Sequence, residues 1–167
     1  FQSIHPWTTT QSKKHNIHCS HIQHHVVNNN IVMPGAGYVE LLSQSDTKHI
    51  NNLSFQLPLV FQENETKTLQ ITDTSITSAD AAHVTFAKTE AVQPSAHMTT
   101  INYSQTIQDP TELYRTLSRS GLQYGTDFQT IRSIEYNETE LLSSLETTSR
   151  LRLTTLLDGA FQSIGVL

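Results

Sequence analysis

Three short segments hold the residues whose types and spacing could do chemistry. The first runs from His25 through Asn29 to the run Pro34-Gly35-Ala36-Gly37-Tyr38-Val39-Glu40. It places a histidine on a strand, then a tight turn, then a return strand that leads into a helix of small residues. The free backbone N–H groups at the start of such a helix can face a carbonyl oxygen. Judged alone, a single histidine is more often structural or surface-exposed than a catalytic base.

The other two segments lie in the second half of the chain. One is Gly121-Leu122-Gln123-Tyr124-Gly125-Thr126-Asp127-Phe128-Gln129. The other is Leu156-Leu157-Asp158-Gly159-Ala160-Phe161-Gln162, with an acid at the expected start of a helix and a glutamine one turn later on the same face. Taken alone, Asp158 is typical of a helix N-cap worth about 1 kcal/mol.

The elements expected to carry the first segment are strands around one buried helix. Residues Asn16 to Val27 are typical of β structure, and Pro34 suits the first turn of a helix. From Ile50 to about Lys88 the chain predicts successive strands with a turn at Glu63-Asn64-Glu65. The candidate inward positions of the first strand region are Ile17, Cys19, Val26 and Val27. We interpret the later alternating set as core rather than as an acyl-binding stripe: Leu53, Phe55, Leu57, Leu59 and Phe61.

The second half repeats part of this pattern. Residues 89–100 are polar, contain Pro94 and predict a loop or linker. Asp109 and Pro110 predict the start of a helix that Gly121 ends, and a last helix is expected from about Asp158. Strands around one helix, then a linker, then the start of a similar pattern indicate an α+β architecture of two related halves.

Taken together and in this order, the three segments resemble the dehydratase domain of modular polyketide synthases, a double-hotdog relative of the fatty acid synthase dehydratases. That family has a histidine followed by glycine and proline at fixed spacing, then a Tyr-Gly-Pro-x-Phe-Gln loop, then Asp-x-x-x-Gln or Asp-x-x-x-His. The resemblance covers most of the chain, from about His5-Pro6 to Leu167. It implies a double hotdog, in which an antiparallel sheet wraps around a central helix in each half.

The resemblance also implies an arrangement of domains. We expect residues 1–92 to form the first hotdog half with the catalytic histidine, and residues 93–110 to form a linker. Residues 111–167 are expected to form a second half that carries the catalytic aspartate. Because the chain ends shortly after Asp158, that second half is expected to be incomplete.

By resemblance, His25 and Asp158 form a two-residue active site. A hydro-lyase of this kind removes water from a 3-hydroxyacyl thioester in a syn-type elimination and leaves an α,β-unsaturated acyl thioester. The reaction needs a base for the C2 proton and an acid for the departing hydroxyl group. A neutral imidazole and a carboxylic acid kept protonated by an apolar pocket can supply these.

The developing enolate also needs stabilisation, and the backbone N–H groups near Gly35 to Gly37 are the expected donors. Gln162 is expected to hold Asp158. The residues expected to bind substrate are Pro34, Gly35, Ala36, Gly37, Tyr124, Gly125, Phe128 and Gln162. The acyl chain would arrive on the phosphopantetheine arm of an acyl carrier protein. That protein, neighbouring synthase domains and a second copy of the chain are the expected partners.

Four positions depart from the family pattern. Asn29 replaces a glycine, Thr126 replaces the loop proline, and His24 replaces an aspartate that often precedes the histidine. Thr154-Thr155 stands where a His-Pro pair is common. Two alternatives therefore stay open: a related double-bond isomerase or cyclase, and a non-catalytic scaffold of the same fold.

Composition further narrows the possible classes of function. The net charge of −5 and the pI of about 5.9 argue against nucleic-acid binding, which needs clustered Lys and Arg. No stretch approaches the roughly 18–20 apolar residues that cross a bilayer, so we expect no membrane contact and a cytoplasmic location. The late arginines fit a solvated helix face better than a docking patch for an acidic partner: Arg115, Arg119, Arg132, Arg150 and Arg152.

A metal site is the remaining alternative. His15, His18, His21 and His24 lie close together in sequence with Cys19, and both residue types bind zinc. A spacing of three on a strand directs alternate members to opposite faces, however, and no second pair of ligands follows. We therefore expect no metal site here, and the resemblance implies a reaction that needs neither a metal nor an organic cofactor.

Overall fold

The structure is a computed structural model that describes residues 12–45, 49–79, 81–90 and 102–166. The first half of the chain contains eight strands and one helix between Lys13 and Lys88. These are β1 Lys13–His18, β2 His25–Val27, β3 Asn30–Val32, α1 Gly35–Ser43, β4 Ile50–Phe55, β5 Val60–Phe61, β6 Thr66–Ile71, β7 Ser75–Ser78 and β8 Ala81–Lys88.

The second half contains fewer strands and more helix. Its elements are β9 Gln105–Ile107, α2 Thr111–Arg119, β10 Leu122–Tyr124, β11 Ile131–Tyr136, β12 Leu141–Leu145 and α3 Arg152–Ile164. Strands β11 and β12 were not predicted from the sequence. The segments around His5 and Pro94 lie outside the described residues.

Every strand pairing in the described chain is antiparallel. The first half forms a sheet in the order β1-β6-β7-β8-β4, and the second half forms one in the order β12-β11-β9. A further sheet has the order β10-β2-β3-β5 and contains strands from both halves. The α+β prediction is therefore confirmed, and β10 joins the second half to the first.

Helix α1 is buried as predicted. Tyr38, Leu41 and Leu42 on this helix are at most 6% exposed and pack into one core with side chains of the first-half strands. Pro34 precedes the helix as its N-cap residue. The sequence placed Pro34 in the first turn, whereas the helix begins one residue later, at Gly35.

The predicted strand from Asn16 to Val27 is wrong in its middle. A 3₁₀ turn at Cys19–His21 separates β1 from β2. Cys19 is buried in that turn, whereas Val26 and Val27 are only half-buried. The most buried residue of β2 is His25, at 7% exposure, so the His25 side chain faces the protein interior.

The prediction that Phe55 and Leu57 are core residues is also wrong, because each is 56% exposed. Strand β4 lies at the edge of its sheet and ends at Phe55. Pro58 then interrupts the alternation, since proline cannot donate to a strand ladder. Leu59 and Phe61 are buried as predicted, but Phe61 belongs to β5 in a different sheet.

The last helix begins earlier than predicted. It starts at Arg152, so Asp158 lies in its interior and the N-cap interpretation of Asp158 is wrong. The buried face of α3 is polar or small: Thr154, Thr155, Asp158, Gly159, Gln162 and Ser163. Two large apolar side chains of α3 lie outside, because Phe161 and Ile164 are more than half exposed.

We predict that Gly159→Ala destabilises the protein. Alanine normally stabilises a helix interior relative to glycine, but a Cβ at this position would lie 2.0 Å from Thr130 Oγ1. We expect a loss of about 1–3 kcal/mol in the free energy of unfolding, measured by urea titration. Gly165→Ala is the matched control, because its nearest neighbour is at 3.2 Å and its φ is −63°. A stabilised Gly159→Ala protein would contradict this packing.

Candidate active site

His25 is fixed in one orientation and one tautomer. It lies on β2 between β3 and β10, where its imidazole is buried. Its Nδ1 lies 2.8 Å from the carbonyl oxygen of Val32. Because a carbonyl can only accept a hydrogen bond, Nδ1 carries the proton in the neutral ring. The lone pair of Nε2 is then free to accept a proton.

Asp158 is held from the opposite side by Gln162. The Nε2 of Gln162 donates to Asp158 Oδ2 at 2.8 Å and to the Phe128 carbonyl oxygen at 3.1 Å. Burial raises the pKa of Asp158, and the His25 charge and the Gln162 hydrogen bond oppose this without cancelling it. The carboxyl group therefore binds its proton more tightly than an exposed aspartate does.

The two groups face each other. His25 Nε2 lies 3.8 Å from Asp158 Oδ1, and both side chains are about one-tenth exposed. This distance is too long for a direct hydrogen bond, so the Nε2 lone pair is not consumed by the carboxyl group. The structure thus brings together the two residues that the sequence places at opposite ends of the chain.

Aromatic rings enclose the histidine. The ring centroids of Tyr124 and Phe128 lie 5.5 and 5.2 Å from that of His25. Burial, followed by the neighbouring charge of Asp158, raises the pKa of Tyr124, so its phenol stays neutral. These apolar walls exclude water, which strengthens electrostatic interactions between the groups inside.

The loop that carries these rings requires a glycine. Gly125 donates its N–H to the His24 carbonyl oxygen at 2.8 Å, and a Cβ at Gly125 would lie 2.7 Å from the His24 ring. His24 Nδ1 also lies 3.2 Å from Asp127 Oδ2. The loop therefore closes directly onto the strand that carries His25.

The small residues before and within α1 divide into two groups. Gly37 donates its N–H to the Pro34 carbonyl oxygen at 2.9 Å, so that N–H group already has an acceptor in this structure. The N–H groups of Gly35 and Ala36 belong to the first turn, where no intrahelical acceptor exists. Gly37 instead borders a cavity of about 80 Å³ that Glu40 and Thr154 also line.

The departure at Asn29 is accommodated. Asn28 and Asn29 form the turn between β2 and β3 with φ of 48° and 63°, a region that favours glycine and asparagine. Asn29 N–H donates to Gln123 Oε1, and Gln123 Nε2 donates to Asn29 Oδ1. Gln123, which sequence reasoning missed as a partner, thus fixes this turn to β10.

Tyr114 is a second residue that sequence reasoning missed. It lies on α2, and the centroid of its ring lies 6.5 Å from that of Tyr124. Its hydroxyl oxygen accepts the Ile131 N–H at 3.1 Å. The signal in the sequence was the hydroxyl group, since a buried phenol needs a hydrogen-bond partner.

A cleft of about 860 Å³ lies beside the pair, between α2 and the loop. Of the predicted substrate-binding residues, Tyr124 and Gly125 line it, together with Tyr114, Arg115 and Arg132. Tyr124 belongs to both places, because its ring also contacts His25. It therefore lies between the cleft and the His25–Asp158 pair.

The late arginines do not form one patch. Arg115 and Arg119 both bond to Glu112 on α2, and Arg132 pairs with Glu146. Arg150 lines a separate cleft. These pairs are exposed, as in the solvated-face interpretation.

Across the ranges that the structure describes, no group of three or more His, Cys, Asp or Glu side chains is placed to hold a metal ion. Within the same residues, no helix is both long and apolar enough to cross a membrane.

Family models match both halves of the chain. One, described as polyketide synthase dehydratase domain, matches residues 7–89. The other, described as polyketide synthase dehydratase N-terminal domain, matches residues 93–167. The chain belongs to the polyketide synthase dehydratase family. No curated protein sequence matches it significantly.

Solved dehydratase structures share the fold. The domain from the CurJ module of the curacin polyketide synthase is 23% identical, with a TM-score of 0.77 over 98% of this chain and 68% of that one. The CurF domain of the same synthase is 20% identical, with 0.76 over 98% and 73%. A trans-AT synthase domain from Brevibacillus brevis is 18% identical, with 0.73 over 93% and 73%. The fold is therefore that of the double-hotdog dehydratases, and the chain spans 68–73% of the length of these solved domains.

We predict that Asp158→Asn stabilises the protein at neutral pH. A raised carboxyl pKa means that the folded state binds the proton more tightly than the unfolded state. Asp158 therefore costs stability as the pH rises from its ordinary value of 3.8 through the raised one. Asparagine lacks this cost and can still accept the Gln162 hydrogen bond.

Urea titrations between about pH 4 and pH 7 should show an advantage of Asp158→Asn that grows with pH. Because His25 lowers the pKa of Asp158, the advantage should increase in a His25→Gln background. A difference between the proteins that is constant over this pH range would refute the buried-carboxyl interpretation.

Proposed function

We propose that this chain is a 3-hydroxyacyl-thioester dehydratase in which His25 is the base and Asp158 the acid. The observation that carries the proposal is the free Nε2 of His25, 3.8 Å from a buried carboxyl group whose pKa is raised. Family membership supports the reaction class. The geometry supports the assignment of the two roles, because Nε2 has an available lone pair and burial raises the pKa of Asp158, which favours its protonated form.

In the proposed reaction, His25 and Asp158 together accept and donate every proton that moves. Nε2 takes the proton from C2, the C2–H electrons form the C2–C3 double bond, and the C3–O bond breaks. Asp158 gives its proton to the departing hydroxyl group, which leaves as water. His25 is then cationic beside an ionised Asp158, and transfer of one proton between them restores the starting state. No metal or organic cofactor takes part.

The first-turn N–H groups of Gly35 and Ala36 are proposed to stabilise the developing enolate oxygen. Phe128 and Tyr124 would enclose the reacting carbons, and Gln162 would hold Asp158. Pro34, Gly37 and Gly125 would support substrate binding through the shape of the backbone.

The separation of the pair also supports a syn elimination. Two groups 3.8 Å apart cannot flank opposite faces of one carbon–carbon bond. We therefore propose that the C2 proton and the C3 hydroxyl group leave from the same face of the substrate.

We further propose that the acyl group is carried on the phosphopantetheine arm of an acyl carrier protein. Neighbouring synthase domains and a second copy of the chain are the other proposed partners, and the proposed location is the cytoplasm. Family membership supports these proposals.

The activity is tested with 3-hydroxyacyl pantetheine thioesters of several chain lengths and the full-length protein. Mass spectrometry should show loss of water, and His25→Gln and Asp158→Asn should each lower the rate about 10²- to 10⁴-fold. Asp73→Asn and His21→Gln are matched controls on the exposed surface, with expected rates within about twofold of the unmodified protein.

The outcomes separate the alternatives. A product with a shifted double bond or a ring would assign the chain to the related isomerases or cyclases. If the protein is folded but forms no product from any thioester, the non-catalytic scaffold is the remaining alternative. Full activity of the Asp158→Asn variant would show that Asp158 is not the acid in the reaction.

The stereochemical prediction uses substrates stereospecifically deuterated at C2. For a given 3-hydroxyl configuration and a given E or Z geometry of the product, syn elimination removes only one of the two C2 hydrogens. Only the substrate deuterated at that position should lose its label and show a primary isotope effect. Loss of label from the other C2 position would contradict syn elimination while leaving the dehydratase activity intact.

A further inference from the structure

The helix that carries Asp158 has no cap of its own. Neither the N-cap residue Leu151 nor any acidic side chain in the first turn of α3 satisfies its free N–H groups. Glu40, on α1, supplies the acceptor instead. Its Oε2 accepts the Thr154 N–H at 2.8 Å and also accepts the Thr154 hydroxyl group. A carboxylate from the first half therefore caps a helix of the second half.

This contact is buried on the α3 side. Thr154 is 1% exposed and Glu40 is half-buried. Two donors on one residue meet one carboxylate oxygen, so both the position and the rotation of the first turn of α3 are restricted relative to α1. Charge-assisted hydrogen bonds of this kind are stronger than neutral ones.

Both sides of the contact lead directly to the reacting pair. Asp158 follows Thr154 by one helical turn and lies on the same face of α3. The His25 imidazole is held by the Val32 carbonyl group, and the chain runs from Val32 through Pro34 into α1. Glu40 thus connects α1, which follows the Val32 carbonyl group that holds His25, with α3, which carries Asp158.

We propose that Glu40 is a positioning residue of this site. Its carboxylate holds α3 on α1 and so maintains the 3.8 Å separation of His25 Nε2 and Asp158 Oδ1. This inference rests on the proposed function for its effect on rate. A displacement of about 1 Å in reacting groups can lower a rate about 100-fold. Glu40 can therefore affect the rate by positioning α3, without touching substrate.

Three variants test the proposal in the full-length protein. Glu40→Ala removes both hydrogen bonds, Glu40→Gln keeps one acceptor oxygen of similar shape, and Thr154→Val removes only the hydroxyl group. We expect Glu40→Ala to lower kcat about 10- to 100-fold with KM within about twofold, and the other two to fall between it and the unmodified protein. Glu112→Ala, which removes an exposed carboxylate on α2, is the matched control with kcat unchanged.

A second measurement does not depend on turnover. The ¹⁵N chemical shifts of the His25 ring should respond to Asp158→Asn, because the carboxyl group lies beside Nε2. In a Glu40→Ala background this response should shrink to less than half. If no variant or parent dehydrates any thioester but the response still shrinks, the proposed reaction fails and the positioning role stands.

Two results would overturn the role. One is a folded Glu40→Ala protein with unchanged kcat or an unchanged chemical-shift response. The other is a loss of activity that only matches the unfolded fraction measured by circular dichroism, which would make the cap a stability device alone. If Glu40→Ala does not fold, Glu40→Gln and Thr154→Val decide between these outcomes at reduced temperature.

Discussion

The antiparallel pairing of β2 with β10 is the constraint on which the site depends. It sets Tyr124 directly opposite His25 and Val27 opposite Leu122, and so joins the two halves in one sheet. A turn with positive φ at Asn28 and Asn29 begins β3 in the correct register. The Asn29–Gln123 amide pair fixes that turn to β10. The enclosure of His25 by aromatic rings follows from this register.

The second constraint is the cost of placing a carboxyl group inside the protein. An ionised carboxylate loses much of its hydration on burial. Gln162 donates one hydrogen bond to Asp158, and burial raises the pKa of Asp158. The buried face of α3 is built from small and polar residues, so the helix approaches Thr130 closely at Gly159. Burial of this carboxyl group lowers stability and raises its pKa, a combination that is common at functional sites.

Much of the first half could be predicted from the sequence. Proline before a run of small and apolar residues predicted α1, and the alternation around Leu69 predicted a strand, because both signals are local. The alternation from Leu53 to Phe61 misled, since it continues across Pro58 while the backbone changes from one sheet to another. The start of α3 was predicted too late for a related reason: a helix capped by a distant carboxylate carries no start signal next to it in the sequence.

The sequence by itself determined the residue types of the site, His25, Asp158 and Gln162, through motifs whose order along the chain is specific. It also determined the α+β class, because alternating and helical patterns of apolar residues distinguish strands from helices. Only the tertiary structure decided that His25 is the inward residue of β2, that Gly37 is not a free donor, and that Glu40 reaches Thr154. Those facts depend on strand register and helix packing between residues far apart in the chain, and neither leaves a periodic signal in the sequence.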